Sequence, residues 1–443
     1  MFFILAILLV IFIITSAIIG QKIKDLKAFT STSAHFFSLI CTVISSFIGG
    51  VFIIGHLEQG FSHGIAPFLT FLGFPLQLIL IGFFITQRRI KTLTVGELFE
   101  PLYGRYAKIF IGFIVVGFNL GIVTIAFYSV GLILGQNIIS YIYLVIFFLL
   151  FILSCSLGGI SSVIWVSILE FIVIITTLFL GLIWSIYHYK SLNLLIGYIP
   201  ITHWQILNGY SYAQLFSMFI ATLLGNALMP SVIGTINIAR SKQQAKMSYI
   251  LAGLFITVFA LFLNLCGMGV AGVCNGCSIQ NALDSVFLTA PFLLQVFIVI
   301  GLLVLTASKD LFLNIAAVTF VNDILKTLRI NIIDDLKLVR ICMFVFGLTC
   351  ITLSFFMSLS LIYSLLFLYK FWGPLFLASF LGIYFNKTIS QRAFFINIAI
   401  TFFTMTSWHI SGLEKTTNIH DLVIGLTVNF VLYGVARKMA MKK

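Results

Sequence analysis

Three ionisable residues interrupt otherwise apolar stretches of this sequence. Glu170 lies within Val166–Ile175, and Lys309 and Asp310 directly follow an apolar run that ends at Ser308. Charged groups surrounded by hydrocarbon are costly, so such residues are by default paired or functional. A Glu170–Lys309 ion pair could fix the packing of two helices, or Lys309 could reach an aqueous face. Alternatively, Lys309 could supply the positive charge at a cation site while Glu170 or Asp310 exchanges a proton.

Two further apolar segments contain residues that break helices. One includes Ser45-Ser46-Phe47-Ile48-Gly49-Gly50 and the other includes Gly225-Asn226-Ala227-Leu228-Met229-Pro230. Unwound backbone exposes polar groups that a regular helix hides, and membrane proteins bind small solutes at such places. Gly and Pro also serve close helix packing in membranes, so either segment alone is ambiguous. Their separation by five apolar segments favours binding, because two inverted five-helix repeats would produce that spacing.

The composition places these segments in a membrane. Hydrophobic residues make up 61% of the 443 residues and charged residues only 8%, which is more apolar surface than a soluble domain can hide. Apolar runs of about 20 residues recur along the whole chain, and this is the length that a helix needs to span a bilayer. We therefore predict an all-α polytopic membrane protein with a single domain, residues 1–443. The thirteen predicted spans lie near 2–21, 35–58, 65–87, 106–134, 138–156, 160–187, 211–238, 247–272, 291–320, 338–357, 360–385, 389–409 and 419–437.

The basic residues predict the orientation of these spans. With the N-terminus outside, 21 of the 25 Lys and Arg residues fall in cytoplasmic segments, whereas Lys190 and Lys415 fall outside and Lys309 and Lys370 fall within spans. This distribution follows the positive-inside rule. The net charge of +13 is then spread over several short loops and the C-terminus, which argues against a nucleic-acid-binding surface. We expect a multi-pass protein of the inner (cytoplasmic) cell membrane with its C-terminus in the cytoplasm.

Other polar side chains give weaker signals. Lys370 is expected to pair within the protein. His409 has no acid or second histidine at a spacing that suits catalysis, so we predict no enzyme activity and no catalytic residue. Cys274 and Cys277 form a CxxC in a predicted outer loop, and a zinc site would need a second ligand pair nearby. A local disulfide or two free thiols is therefore the expected state of this pair.

The outer end of the second span carries His56, Glu58 and His63. These side chains could shape an entrance to a binding site. A solvated loop is the simpler interpretation.

Six motifs, in order along the chain, resemble the sodium:solute symporter family, whose members share the LeuT-type inverted-repeat fold. The motifs are Ser46-Phe47-Ile48-Gly49-Gly50 with Gly55, Thr94–Glu100 followed by Tyr103-Gly104-Arg105, Gly158–Trp165, Ala239-Arg240-Ser241, Ser308–Asn314 ending at Asp323–Lys326, and Gly373-Pro374. The match runs from about residue 35 to about residue 395. It implies that spans 2–6 (about 35–187) and spans 7–11 (about 211–385) form the two inverted repeats.

The resemblance also implies a sodium site between the first and eighth core helices, which are spans 2 and 9 here. The residues at the ligand positions are Ser45, Ile48, Val304, Ala307 and Ser308. The sequence departs from the family pattern at Ala307, which has no side-chain oxygen where a hard cation would want one. It departs again on the fifth core helix, where Ser167 replaces a usual carboxylate.

These features together predict a cation-coupled symporter, with sodium as the coupling ion, that imports a small polar organic solute by alternating access. The solute could be an amino acid, a sugar, a carboxylate or a vitamin, and it would face Gly49, Gly50, Phe52 and Asn226. No cofactor beyond sodium and no nucleic-acid partner is expected. Two alternatives stay open. One is a proton-coupled or uncoupled permease of the same fold that uses Glu170, Lys309 and Asp310, and the other is a transporter-like membrane sensor.

Overall fold

The computed structural model describes residues 14–21, 23, 25–30, 33–84, 92–134, 138–189, 197, 199–225, 229–273, 310–330, 334–358 and 361–441. Within these ranges the regular structure is helical apart from one isolated bridge between Ala34 and Ala239. Seven helices there are long and apolar enough to cross a membrane, and one bent pair brings the number to eight. The predicted all-α multi-pass architecture is confirmed. The count of thirteen spans stays a prediction, because several of them lie partly outside the described residues.

The helices have the following bounds: α1 Leu26–Thr30, α2 Phe36–Phe47, α3 Gly50–His63, α4 Ala66–Phe71, α5 Gly73–Phe84, α6 Val95–Leu134, α7 Ile138–Tyr189, α8 Tyr212–Leu224, α9 Pro230–Asn237, α10 Lys242–Val273, α11 Asp310–Thr319, α12 Asp335–Ser354, α13 Leu361–Tyr369, α14 Gly373–Tyr384, α15 Gln391–Ile410, α16 Leu413–Thr417 and α17 Asp421–Met441. A 3₁₀ turn at Ile201–Trp204 precedes α8, and a π-helical turn at Phe320–Leu325 continues α11.

The second predicted span is broken between α2 and α3. Ile48 and Gly49 adopt extended backbone (φ −85°, ψ 101° and φ −136°, ψ −172°), and the two helices meet at an angle of 57°. The predicted interruption at Ile48–Gly50 is therefore confirmed. Because α2 stops at Phe47, the carbonyl groups of its last turn lack the donors that a continuing helix would supply.

The seventh predicted span is broken as well. α8 stops at Leu224, and α9 starts at Pro230 after Met229, whose backbone is not helical (φ −44°, ψ 149°). Proline suits the first position of a helix because the missing N–H would have no partner there. The helix end at Leu224 and the new helix start at Pro230 confirm the predicted interruption. Asn226, which was predicted to face the solute, lies outside the described residues.

Two long helices turn sharply at glycines. Gly104 in α6 and Gly159 in α7 have φ values of 78° and 54°, which residues with a side chain rarely adopt. A Cβ on Gly159 would also lie 2.6 Å from the carbonyl oxygen of Phe29. The turn at Gly159 separates the predicted fifth and sixth spans, in agreement with the boundary expected from the sequence.

Helix α10 packs closely against α3 and α5 and holds the broken helix in place. A Cβ on Gly253 would lie 2.7 Å from the carbonyl oxygen of Pro75, and one on Gly267 would lie 2.3 Å from that of Leu57. Such close backbone approach is how helices associate in lipid, where no hydrophobic force drives them together. α11 packs against α6, α7 and α9, so it lies beside the helix that follows the second interruption.

Candidate functional site

A cavity lies where the interrupted helices meet. The space between its lining atoms, with the open mouth included, is about 720 Å³. The lining residues are Ser46, Phe47, Gly49, Val51, Phe52, Gly55, His56, Phe71, Phe74, Leu78, Ile122, Met229, Ile256, Phe312, Leu365 and Tyr369. Two of the predicted solute-facing residues, Gly49 and Phe52, line this cavity. Gly50 is buried at the start of α3 and is not among the lining residues.

The wall of the cavity is mainly apolar, and six of its sixteen lining residues are Phe or Tyr. Phe71 stacks on Phe74 with ring centroids 6.2 Å apart, and Phe74 meets Tyr369 edge-on at 5.8 Å. The hydroxyl of Ser46 donates to the carbonyl of Val43 at 2.9 Å, so its proton is already engaged. Such walls favour a solute with a large apolar part, because polar groups placed against them would lose their hydration without compensation.

His56 is the imidazole in this wall, and only 3% of it is exposed. Its Nδ1 atom lies 2.7 Å from the carbonyl oxygen of Phe52, and its ring centroid lies 4.2 Å from the Phe52 ring. The Nε2 atom has no hydrogen-bond partner among the described residues. The interpretation of this region as a solvated loop is wrong for His56. The spacing of the residues could have revealed that His56 faces the cavity, because Gly49, Phe52 and His56 are three and four residues apart and such residues share one face of a helix.

The outer end of α3 is covered by residues 199–210. The Nε2 atom of His203 lies 2.9 Å from the carbonyl oxygen of Phe61. Because a carbonyl oxygen can only accept, Nε2 is the donor. The hydroxyl of Tyr210 donates to Gln59 at 2.9 Å. This loop therefore caps the cavity-lining helix on the predicted outer side.

The predicted cation site is described in part. Ser45 and Ile48 are buried at the end of α2, with 1% and 0% exposed. The Ser45 hydroxyl donates to the carbonyl of Ser167 at 3.2 Å, which joins the break to α7. The other implied ligands, Val304, Ala307 and Ser308, lie outside the described residues. Their convergence with Ser45 and Ile48 stays a prediction.

Two of the three predicted coupling residues are buried carboxylates. Glu170 on α7, one turn beyond Ser167, is 2% exposed, and Asp310 at the start of α11 is 4% exposed. Asp310 accepts a hydrogen bond from the amide of Leu311 at 2.7 Å. α7 and α11 pack against each other. Lys309 lies outside the described residues, so the proposed Glu170–Lys309 contact remains a prediction.

Two of the family-like motifs meet at the predicted cytoplasmic end. The Thr94 hydroxyl donates to Asp323 at 2.6 Å, and the Asn322 amide donates to Glu97 at 2.8 Å. Burial raises the pKa of Asp323 to about 7, although hydrogen bonds from Thr94 and Asn322 and the charge of Lys108 oppose this shift. The contact joins the segment before α6 to the turn after α11.

A polar cluster at the predicted outer end was missed by sequence reasoning. Lys370 forms an ion pair with Asp421, as its expected internal pairing requires. His409 lies 3.0 Å from Glu414 and 3.5 Å from Asp421, and His420 lies 3.0 Å from Asp421. The expectation that no acid or second histidine accompanies His409 is therefore wrong. The turn from α15 through α16 to α17 brings together the cluster residues of 409–421, and Lys370 joins them from the end of α13.

No protein family's sequence profile matches the chain, and no curated protein matches it in sequence. Solved structures resemble it in three dimensions. A Na⁺-coupled sialic acid symporter in a substrate-bound outward-open state matches with a TM-score of 0.81 at 14% identity, over 98% of this chain and 96% of that one. A nucleobase-cation-symport-1 family transporter, closed with bromovinylhydantoin bound, matches with a TM-score of 0.63 at 14% identity, over 94% of both chains. MhsT in complex with L-phenylalanine matches with a TM-score of 0.53 at 13% identity, over 93% of this chain and 99% of that one. The chain therefore has the LeuT-type fold.

Proposed function

We propose that this protein is a cation-coupled symporter that imports a small organic solute by alternating access, with sodium as the coupling ion. The observation that supports this most is a cavity bounded by the interruptions of two core helices, at Ile48–Gly49 and Gly225–Met229. Secondary transporters hold solutes at such breaks near the middle of the membrane. The neighbouring structures are of a Na⁺-coupled symporter and of two proteins with small molecules bound.

The end of α2 supports the proposed position of the cation. A helix C-terminus presents carbonyl oxygens and the negative end of its dipole, both of which attract a cation. Ser45 and Ile48 lie at this end and are shielded from water. We propose that Val304 and Ser308 complete the site from the ninth span. Ala307 contributes no oxygen, so the affinity for sodium is expected to be weak.

The buried carboxylates support the second candidate, a proton-coupled permease. Glu170 and Asp310 are both nearly inaccessible to water on helices that pack together. Carboxyl groups inside membrane-spanning bundles are typical of the proton relays of pumps and transporters. In this variant of the proposal the Lys309 ammonium replaces sodium, and uptake follows pH.

Sodium dependence of ligand-induced stabilisation tests the first candidate. The purified protein is melted with a solute panel in sodium and in potassium buffers, and a solute at a hundredfold excess over its Kd is expected to add about 2.7 kcal/mol to the free energy of unfolding. In the sodium account, Ser308→Ala removes the sodium effect and Ala307→Ser strengthens it. Thr349→Ala, whose exposed hydroxyl bonds within its own helix, is the matched control.

Equal stabilisation in sodium and potassium by every solute would contradict sodium coupling. If pH then controls binding and Lys309→Ala abolishes it, the proton-coupled candidate is favoured. If neither ion nor pH matters, both coupling proposals are wrong.

A further inference from the structure

The tautomer of His56 follows from its surroundings. Its Nδ1 atom lies 2.7 Å from the carbonyl oxygen of Phe52, and a carbonyl can only accept, so Nδ1 carries a hydrogen. An imidazolium between the rings of Phe52 and Phe71 would be a buried charge with no counter-ion among the described lining residues. The ring is therefore neutral, and Nε2 presents a lone pair.

That lone pair is a buried acceptor without a donor. Nε2 is inaccessible to solvent and makes no hydrogen bond to any described residue, although His56 lines the cavity. Buried polar atoms in folded proteins almost always have a partner, and an exception calls for an explanation. Of the two hydroxyl groups in the wall, that of Ser46 already donates to Val43, and that of Tyr369 makes no hydrogen bond to His56 Nε2. A ligand in the cavity would supply the missing hydrogen.

We propose that the solute is a compact molecule with a flat, largely apolar body, carrying an N–H or O–H group that donates to His56 Nε2. This inference rests on the proposed transport function and specifies the class of solute that the cavity between the two interruptions binds. Stacking against Phe52, Phe71 and Tyr369 accommodates an aromatic or heteroaromatic body. A sugar or a small dicarboxylate has too little apolar surface to replace its lost hydration in these walls. The solute is thus more apolar than the sequence alone suggested.

Matched pairs of probes test the hydrogen bond directly. Tryptophan is compared with 1-methyltryptophan, tyrosine with O-methyltyrosine, and thymine with 1,3-dimethylthymine, because methylation removes the ring-system donor and keeps the flat body. Glucose, sialic acid, citrate and proline form the polar set. Thermal unfolding of the purified full-length protein measures apparent affinity for each probe.

At least one donor-bearing flat probe is expected to stabilise the wild-type protein, with its methylated partner binding roughly 10-fold or more weakly. In His56→Phe, which keeps a ring beside Phe52 and Phe71, the ratio within the pair is expected to fall to about one. His56→Asn supplies another acceptor and is expected to restore part of the preference. His63→Phe, a histidine on the same helix beyond the cavity, is the control and is expected to keep the wild-type ratio.

Three results would overturn the substrate class. They are stabilisation by the polar set alone, no shift with any flat probe, and an unchanged ratio in His56→Phe. Sodium-driven uptake of a polar probe would sink this inference while the transport function stands. Conversely, a flat donor that binds in a His56-dependent way but never crosses a vesicle membrane would refute the transport function while the cavity assignment stands.

Discussion

The backbone amide of Gly373 donates a hydrogen bond of 3.0 Å to the carbonyl oxygen of Gly225. Gly225 follows α8 at the break of the seventh predicted span, and Gly373 opens α14 after α13 has ended. This hydrogen bond therefore joins the break after α8 to the break between α13 and α14, beside the cavity. A side chain fits at neither position, since a Cβ on Gly373 would lie 2.2 Å from the Gly225 oxygen and a Cβ on Gly225 would lie 2.4 Å from the Ala221 oxygen.

Gly373→Ala is expected to lower stability by roughly 1–3 kcal/mol, because the added methyl group forces the two breaks apart. It should also weaken any ligand-induced stabilisation. Gly434→Ala is the control, since a Cβ at that exposed position in α17 meets nothing within 4 Å and alanine favours a helix. The melting temperature of each variant, with and without solute, provides the readout. Equal behaviour of the two variants would show that the Gly225–Gly373 contact has no structural role.

Lys370→Met is expected to destabilise the protein by roughly 3 kcal/mol, because it leaves the buried Asp421 carboxylate without its ammonium partner. The double variant Lys370→Met/Asp421→Asn should recover much of that loss. The matched control is Lys326→Met, which breaks an exposed pair with Asp335 and should cost about 1 kcal/mol or less. Additive effects of the two substitutions in thermal unfolding would argue against the buried ion pair.

Asp323 gives a pH dependence whose sign follows from burial. Its pKa is about 7 in the folded protein against an ordinary value of 3.8. Between about pH 4 and 7 the folded state holds more protons than the unfolded chain, so this carboxyl's contribution to stability falls as pH rises through that window. Asp323→Asn removes the titration while its amide oxygen still accepts from Thr94.

We therefore expect Asp323→Asn to raise the melting temperature at pH 8 relative to the wild type, with a much smaller difference at pH 4. Asp335→Asn, at a partly exposed position, is the control and should show no such pattern. A constant offset between Asp323→Asn and the wild type at all pH values would mean that the carboxyl does not titrate in this range.

The predicted orientation is open to cysteine labelling in a variant whose seven native cysteines are replaced by serine. Both Lys415 and Arg392 are exposed in the structure. A membrane-impermeant maleimide is expected to modify Lys415→Cys in intact cells and Arg392→Cys only after permeabilisation, as the distribution of basic residues requires. The reverse pattern would invert the topology and the direction of transport.

The sequence predicted the breaks because glycine and proline act locally. Gly49 weakens a helix because it lacks a side chain, and Pro230 cannot continue one because it lacks an N–H, and both effects are local. Contacts such as Lys370–Asp421 and Thr94–Asp323 join residues that are far apart in sequence. No local pattern reveals these two contacts. The cluster around His409 was missed for a different reason, since Glu414, His420 and Asp421 follow His409 closely in sequence and are brought back to it only by the turn between α15 and α17.

The residues of the cavity were also predictable only in part. Gly49 and Phe52 were identified as solute-facing because they flank the break, and both line the cavity. His56 was misread, since hydropathy shows that a helix ends near it but not which face turns inward. The aromatic walls come from separate helices, including Phe71, Phe312 and Tyr369, so the apolar character of the cavity emerges only on folding.

The central claim is that a cation gradient drives solute through this protein, and uptake into proteoliposomes tests it most directly. The solute is the probe that stabilises the protein best, with labelled tryptophan, tyrosine and thymine as the first choices. An inward sodium gradient is expected to drive accumulation that collapses when the gradient is dissipated, that Ser308→Ala abolishes and that Ala307→Ser increases. Uptake that ignores sodium but follows an inward proton gradient and requires Lys309 would replace sodium with protons. Uptake indifferent to sodium, to pH and to these substitutions would contradict the account.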